Sequence, residues 1–149
     1  ACLAWAVADV AARPGPVFEL GLGKGRTFDH LRMALPGREI FAFDRTNVCL
    51  PDCLPDEEHF VFGELSETLP AMAARFPGQV AFAHSDVGSM DKAGNRAMID
   101  LVSALLPPAL APGALVMADL PLEIEGAERL PLPPGAREDR YYVFRWRPR

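Results

Sequence analysis

The sequence predicts an α/β fold: a mostly parallel sheet of seven strands, or six, flanked by helices and closed by an antiparallel C-terminal strand. Three observations carry this reading. Apolar strand-like runs alternate with amphipathic segments at intervals of about twenty residues, the rhythm of right-handed βαβ units. The run Val17–Leu20 enters a bend with glycines at alternate positions, Gly21, Gly23 and Gly25. A second run, Ile40–Phe43, ends in Asp44, nineteen residues past Gly25.

Taken in order, Leu3, Val7 and Val10 share one face of an N-terminal helix. No basic segment stands ahead of it, so the apolar start reads as an amphipathic helix rather than a secretion signal. The chain opens on Ala1 instead of Met, which leaves room for residues ahead of it, part of a lid among them. The glycine bend follows from backbone sterics, because a sharp strand-to-helix turn needs dihedrals that side chains forbid and lets a ligand approach the main chain. Thr27 is the expected N-cap of the next helix, whose Phe28, Leu31 and Leu35 recur at helical spacing until Pro36-Gly37. Asp44 then falls where a second parallel strand presents a carboxylate to a ribose diol.

The remaining elements follow the same alternation. Phe60–Phe62 reads as a third strand, and Leu65, Leu69, Met72, Ala73 and Phe76 as one face of a helix. Val80–His84 reads as a fourth strand with Asp86 at its carboxyl end. Met98, Val102, Leu105 and Leu106 line a helix stopped by Pro107-Pro108, and its methionine is expected in the core. Leu110-Ala111-Pro112 forms a turn into a fifth strand, 113–119. The Pro- and Gly-rich stretch 121–135 reads as an excursion, and 141–146 as an antiparallel strand, since no helical crossover precedes it.

The glycine spacing discriminates between ligands. Dinucleotide-binding bends need a third small residue where this chain has Arg26, which counts against a nicotinamide-dependent oxidoreductase. A phosphate-binding P-loop is excluded because Gly23-Lys24 is not followed by Ser or Thr. The pattern Glu19-Leu20-Gly21-Leu22-Gly23-Lys24-Gly25, joined to Asp44, resembles the class I S-adenosylmethionine-dependent methyltransferases, and the likeness extends over residues 15 to 120. It implies a Rossmann-like three-layer sandwich and S-adenosylmethionine as methyl donor, with S-adenosylhomocysteine as product. It further implies that Glu19, Gly21, Leu22, Gly23, Gly25, Asp44, Arg45, Glu64, Leu65 and Asp86 hold the donor. In that scheme Asp44 takes the ribose and Glu64 the adenine amino group, while a carboxylate such as Glu19 suits a sulfonium compound that carries no phosphate.

The reaction implied is in-line displacement, to which a protein contributes chiefly alignment and exclusion of water. Asp86, or else His84, is the candidate base where the acceptor must lose a proton. Ser85-Asp86-Val87-Gly88 stands where many amino-group methyltransferases carry an Asn- or Asp-Pro-Pro-aromatic tetrad, which disfavours adenine- and glutamine-type acceptors. Metal-dependent catechol-type enzymes place acids as Asp86 and Asp119 are placed, although Leu120 replaces their asparagine; magnesium at those two acids is the minor alternative to no metal. A non-catalytic S-adenosylmethionine-binding module is the second function reading.

Composition bounds the rest. A chain of 149 residues, 50% hydrophobic, builds one sizeable core, so a single domain over residues 1–149 is expected. A net charge of −5 gives no general attraction to nucleic acid, which favours a small-molecule acceptor. Five arginines from Arg137 to Arg149 make the C-terminus locally basic, read here as a solvated edge strand. No run is long and apolar enough for a membrane span, a cytoplasmic location is the default, and self-association is compatible with the composition. Three cysteines are read as reduced thiols; Cys49, Cys53 and His59 lack a fourth ligand for zinc.

Overall fold

A computed structural model describes residues 2–148. Seven strands form one sheet in the order β3-β2-β1-β4-β5-β7-β6. β1 (Val17–Leu20), β2 (Ile40–Asp44), β3 (Phe60–Phe62), β4 (Val80–Ser85) and β5 (Leu110–Ala118) are parallel, whereas β7 (Tyr142–Trp146) inserts antiparallel between β5 and β6 (Ala127–Leu130). Helices α1 (Cys2–Ala11) and α2 (Arg26–Ala34) cover one face, and α3 (Leu65–Arg75) and α4 (Lys92–Leu105) the other. This is the expected Rossmann-like three-layer sandwich.

Covering both faces explains why the central strands are apolar throughout rather than alternating. Along β1, Phe18 and Leu20 pack with Leu69 of α3 and Val102 of α4, while Val17 packs with Val10 of α1 and Leu31 of α2. Phe18 meets Phe43 with ring centroids 4.9 Å apart. Arg145 of β7 fastens α1 to the sheet: its guanidinium donates to both Asp9 oxygens at 2.9 and 2.8 Å and to the Gly113 carbonyl at 3.0 Å. One of the C-terminal arginines is therefore a half-buried staple and not merely a solvated edge charge.

Three local expectations are corrected. Helix α2 begins at Arg26, with Gly25 as N-cap at φ 88, so the left-handed glycine starts the helix before Thr27. The excursion at 121–135 contains β6, whose Glu128 and Arg129 stay exposed at the sheet edge, the charged pattern that keeps an edge strand from pairing further. β5 starts at Leu110 and runs through a register shift near Pro112-Gly113, where a turn was expected.

Strand order reverses between β1 and β4. β1 continues outward through β2 to β3, and β4 through β5 to the antiparallel pair. Ligands of such sheets bind beyond the carboxyl ends of the strands at this reversal.

Candidate functional site

A cavity of about 450 Å³ opens at that reversal, within the usual size of small-molecule sites. Gly21, Gly23, Asp44, Arg45, Glu64, Leu65 and Asp86 all line it. Residues distant in the chain meet there because each follows a strand end.

The glycine bend supplies a bare stretch of main chain. Gly21 is at φ 88, and a Cβ on it would lie 2.3 Å from the Asp86 carbonyl oxygen, so β1 and β4 approach too closely there for any side chain. Gly23, at φ 53, has no atom within 4 Å of a Cβ position, so its exposed backbone faces open space. Asp44 braces this bend: Oδ2 accepts the Gly23 N–H at 3.0 Å, and Oδ1 accepts the Thr46 N–H at 3.1 Å. A carboxylate has about four lone-pair sites, so Asp44 retains capacity toward the cavity. Glu64, the N-cap residue of α3, sits 3.9 Å from Arg45, and both are largely exposed.

Other candidates lie behind this wall. Glu19 is buried, and its Oε1 is 2.6 Å from Nδ1 of His84, its register partner on β4. Burial pushes the Glu19 carboxyl up from its ordinary value, with His84 opposing. Burial works against a charged His84, yet the Glu19 carboxylate, joined by Asp86 and Asp119, outweighs it and raises the imidazole. Leu22 is buried in the core beside α2, and Gly25 contacts Cys49 and Cys53 rather than the cavity.

The loop after β4 forms the opposite wall with Val87, Gly88, Ser89, Asp91, Asn95 and Met98, residues that sequence reasoning did not assign to the site. Met98, expected in the core, is a cavity residue. Asp119 lies behind this loop, where Oδ2 accepts the Gly88 N–H at 2.8 Å and Oδ1 the Val87 N–H at 3.3 Å. Burial raises the Asp119 carboxyl, the Gly88 amide opposes, and nearby Asp86 adds to the rise. With its oxygens turned to these amides, Asp119 supports the loop from behind. Among the described residues no three His, Cys, Asp or Glu side chains gather as metal ligands. His59 bonds Asp56 at 2.7 Å and stacks on Phe41, away from the two cysteines packed on Gly25.

A family model described as S-adenosyl-L-methionine methyltransferase matches residues 1–146. The chain belongs to this methyltransferase family. An S-adenosyl-L-methionine methyl transferase from Silicibacter pomeroyi DSS-3 is similar at 43% identity and TM-score 0.92, over 97% of this chain and 89% of that one. More distant structures share the methyltransferase fold alone. The S-adenosylhomocysteine-bound methyltransferase PaMTH1 of Podospora anserina has 12% identity and TM-score 0.64 over 98% of this chain and 78% of its own. The fibrillarin pre-rRNA processing protein of Methanococcus jannaschii has 14% identity and TM-score 0.64 over 93% and 69%. No curated protein matches the chain.

The chain is thus an S-adenosylmethionine-dependent methyltransferase, and the cavity's chemistry fits that donor. Bare backbone at Gly23 admits a bulky ligand, and Asp44 offers a charged hydrogen-bond acceptor beside it. The wall also carries more carboxylate than guanidinium, as a sulfonium compound requires.

Proposed function

We propose that this methyltransferase acts on a small-molecule acceptor in the carboxyl-edge cavity, as a single cytoplasmic domain over residues 1–149. The observation that carries the reading is the convergence of Gly21, Gly23, Asp44, Glu64 and Asp86 on one cavity. Asp44 takes the ribose hydroxyls while fixing the bend, and Glu64 takes the adenine amino group with Arg45 and Leu65 beside it. Asp86, at the junction of the two loops, receives a proton from the acceptor where one must leave. Bound S-adenosylmethionine supplies an already activated methyl group on sulfur. The protein's part is then alignment by two rigid loops and exclusion of water.

His84 acts through position. It fixes Glu19 beneath the bend, and its Nδ1 is committed to that carboxylate at 2.6 Å, which leaves proton removal to Asp86. The acidic wall and the net charge of −5 favour a small molecule over nucleic acid. Free Cys2, Cys49 and Cys53 suit a reducing compartment.

The test is calorimetric titration with S-adenosylhomocysteine, followed by transfer of tritiated methyl groups to fractionated metabolite pools. Saturable binding and a labelled small product are expected. Absence of binding by the folded protein would sink the reading, and binding without transfer would leave only a donor-binding module.

A further inference from the structure

The two ends of the cavity differ in what their side chains offer. One end holds Asp44, Glu64 and Arg45, the only basic side chain among the described residues of the wall. The other end is formed by the loop from Asp86 into α4, and its internal bonds account for most of its polar groups. The Ser89 N–H donates to Asn95 Oδ1, and Asn95 Nδ2 donates back to the Ser89 carbonyl, both at 2.8 Å. The Asp91 N–H donates to Ser89 Oγ at 3.2 Å, and Asp91 Oδ1 accepts the Ala93 N–H at 3.1 Å as the cap of α4. Val87 and Gly88 donate to Asp119 from behind.

What remains uncommitted at this end is neutral or negative. The Ser89 hydroxyl and the second Asn95 N–H are neutral donors, whereas the charged groups are the carboxylate of Asp86, beside Asp119, and the remaining oxygen of Asp91, with no Lys, Arg or His in that part of the wall. The methyl donor does not exhaust this charge. Its ammonium and sulfonium outnumber its carboxylate by one, while the wall's carboxylates, Asp44, Glu64, Asp86 and Asp91, outnumber its guanidinium by three. Two of those four carboxylates, Asp86 and Asp91, lie at this end. Val87 and Met98 add apolar contact, and Met90 stands 99% exposed between Ser89 and Asp91.

Resting on the methyl-transfer reading of this cavity, we propose that the acceptor is an alkyl amine, drawn in as its ammonium at the end lined by Asp86 and Asp91. One N–H bond breaks and its proton passes to the Asp86 carboxylate, leaving a lone pair on nitrogen. That pair forms the new N–C bond as the methyl carbon's bond to sulfur breaks, and the sulfur keeps the departing electron pair. Charge balances throughout, and no further reactant is needed. The rise of the Asp119 carboxyl, caused first by burial and then by Asp86, fits a region crowded with negative charge that a cation relieves. An anionic acceptor would meet like charges instead.

The experiment compares hexylamine, hexanol and hexanoate, chains that differ only in head group, as calorimetric ligands of protein saturated with S-adenosylhomocysteine. Saturation with S-adenosylhomocysteine is measured first, so failure there defeats the methyl-transfer reading and is distinguishable from failure of the amine step. Hexylamine alone should bind saturably, and its affinity should fall about tenfold or more in Asp91→Asn, on the order of one lost charge-assisted contact. Asparagine keeps the helix cap, and the melting temperature of this variant reports that the loop still folds. Affinity should also fall as salt rises. Tritiated methyl transfer to amines and not to alcohols or carboxylates would agree. Equal or better binding of hexanol or hexanoate, no saturable binding of hexylamine, or an unaffected Asp91→Asn variant would overturn the proposal.

Discussion

Two loops at the carboxyl edge solve the same problem by different means. After β1, the amide of Gly23 is held by Asp44 from the end of β2; after β4, the amide of Gly88 is held by Asp119 from the end of β5. Each is a glycine N–H anchored by a carboxylate from the neighbouring strand, on opposite sides of the point where strand order reverses. In the first loop the glycines serve the backbone, with Gly21, Gly23 and Gly25 all at positive φ. In the second, Gly88 has no positive φ, and it is glycine because a Cβ would lie 2.6 Å from Asp119 Oδ2. The first loop needs glycine for conformation, and at Gly21 for space as well; the second needs it for space alone.

The sharpest way to break this comparison lies within the first loop. Gly21→Ala meets both a left-handed φ and the Asp86 carbonyl, and should cost about 2–4 kcal/mol of stability. At about 2–4 °C per kcal/mol, the melting temperature should fall by roughly 5–15 °C. Gly23→Ala has open space ahead of it and should cost about 1–2 kcal/mol from φ alone. Its methyl group projects into the open space proposed for the donor, so S-adenosylhomocysteine titration should register the larger defect, about tenfold or more. Should Gly23→Ala melt lower than Gly21→Ala, the division of roles between the two glycines is wrong.

Asp44→Ala comes next. It removes both the brace on Gly23 and the proposed ribose acceptor, and losing hydrogen bonds to a charged group costs about 1.5–3 kcal/mol, on the order of ten- to a hundredfold in S-adenosylhomocysteine affinity. Unchanged affinity by calorimetry would remove Asp44 from the ribose role.

The second loop calls for a double-mutant cycle. Gly88→Ala alone should destabilise by about 1–3 kcal/mol because the new methyl group displaces Asp119. In an Asp119→Ala background the obstruction is gone, so the same change should cost less by about 1 kcal/mol or more. Denaturant unfolding of the single and double variants measures that coupling. Additive costs would mean that Gly88 serves a purpose other than making room.

These differences also explain what could be read from the chain. Three alternate glycines after an apolar run announce a turn because positive φ restricts residue choice, and an acid ending the next strand marks the sheet edge where the cavity opens. The sheet was legible for a related reason: strands buried on both faces must be apolar throughout. Gly88 carried no such mark, since a glycine required by a neighbour's side chain looks like any other glycine until Asp119 is placed beside it. Asn95 was hidden likewise, because its two bonds to Ser89 depend on how α4 returns over the sheet. Met98 sits on an apolar helical stripe, and periodicity alone does not say that the stripe's first turn faces a cavity rather than the core. β6 escaped notice because a short charged edge strand has almost no alternation to detect.

Glu19 and His84 show the limit of inference from position. Both stand at strand ends where site residues gather, but parallel register places them side by side on the face covered by α1 and α2, where Glu19 Oε1 and His84 Nδ1 pair and Glu19 Oε2 stays buried without a partner. The smallest expected effect concerns this pair and is seen only as a function of pH. His84 has a folded-state pKa raised above its ordinary 6.5, so its proton contributes stability that is fully present below pH 6.5 and lost as pH rises through the raised value. Glu19, also raised, acts in the same direction, its stabilising proton being lost on the alkaline side of 4.5. Melting temperature should therefore decline from pH 6.5 toward alkaline pH in the wild type. His84→Gln keeps a donor near Glu19 but removes the imidazole titration, so its decline over that window should be shallower. Parallel profiles for the two proteins would mean that the buried pair holds no proton whose loss the fold detects.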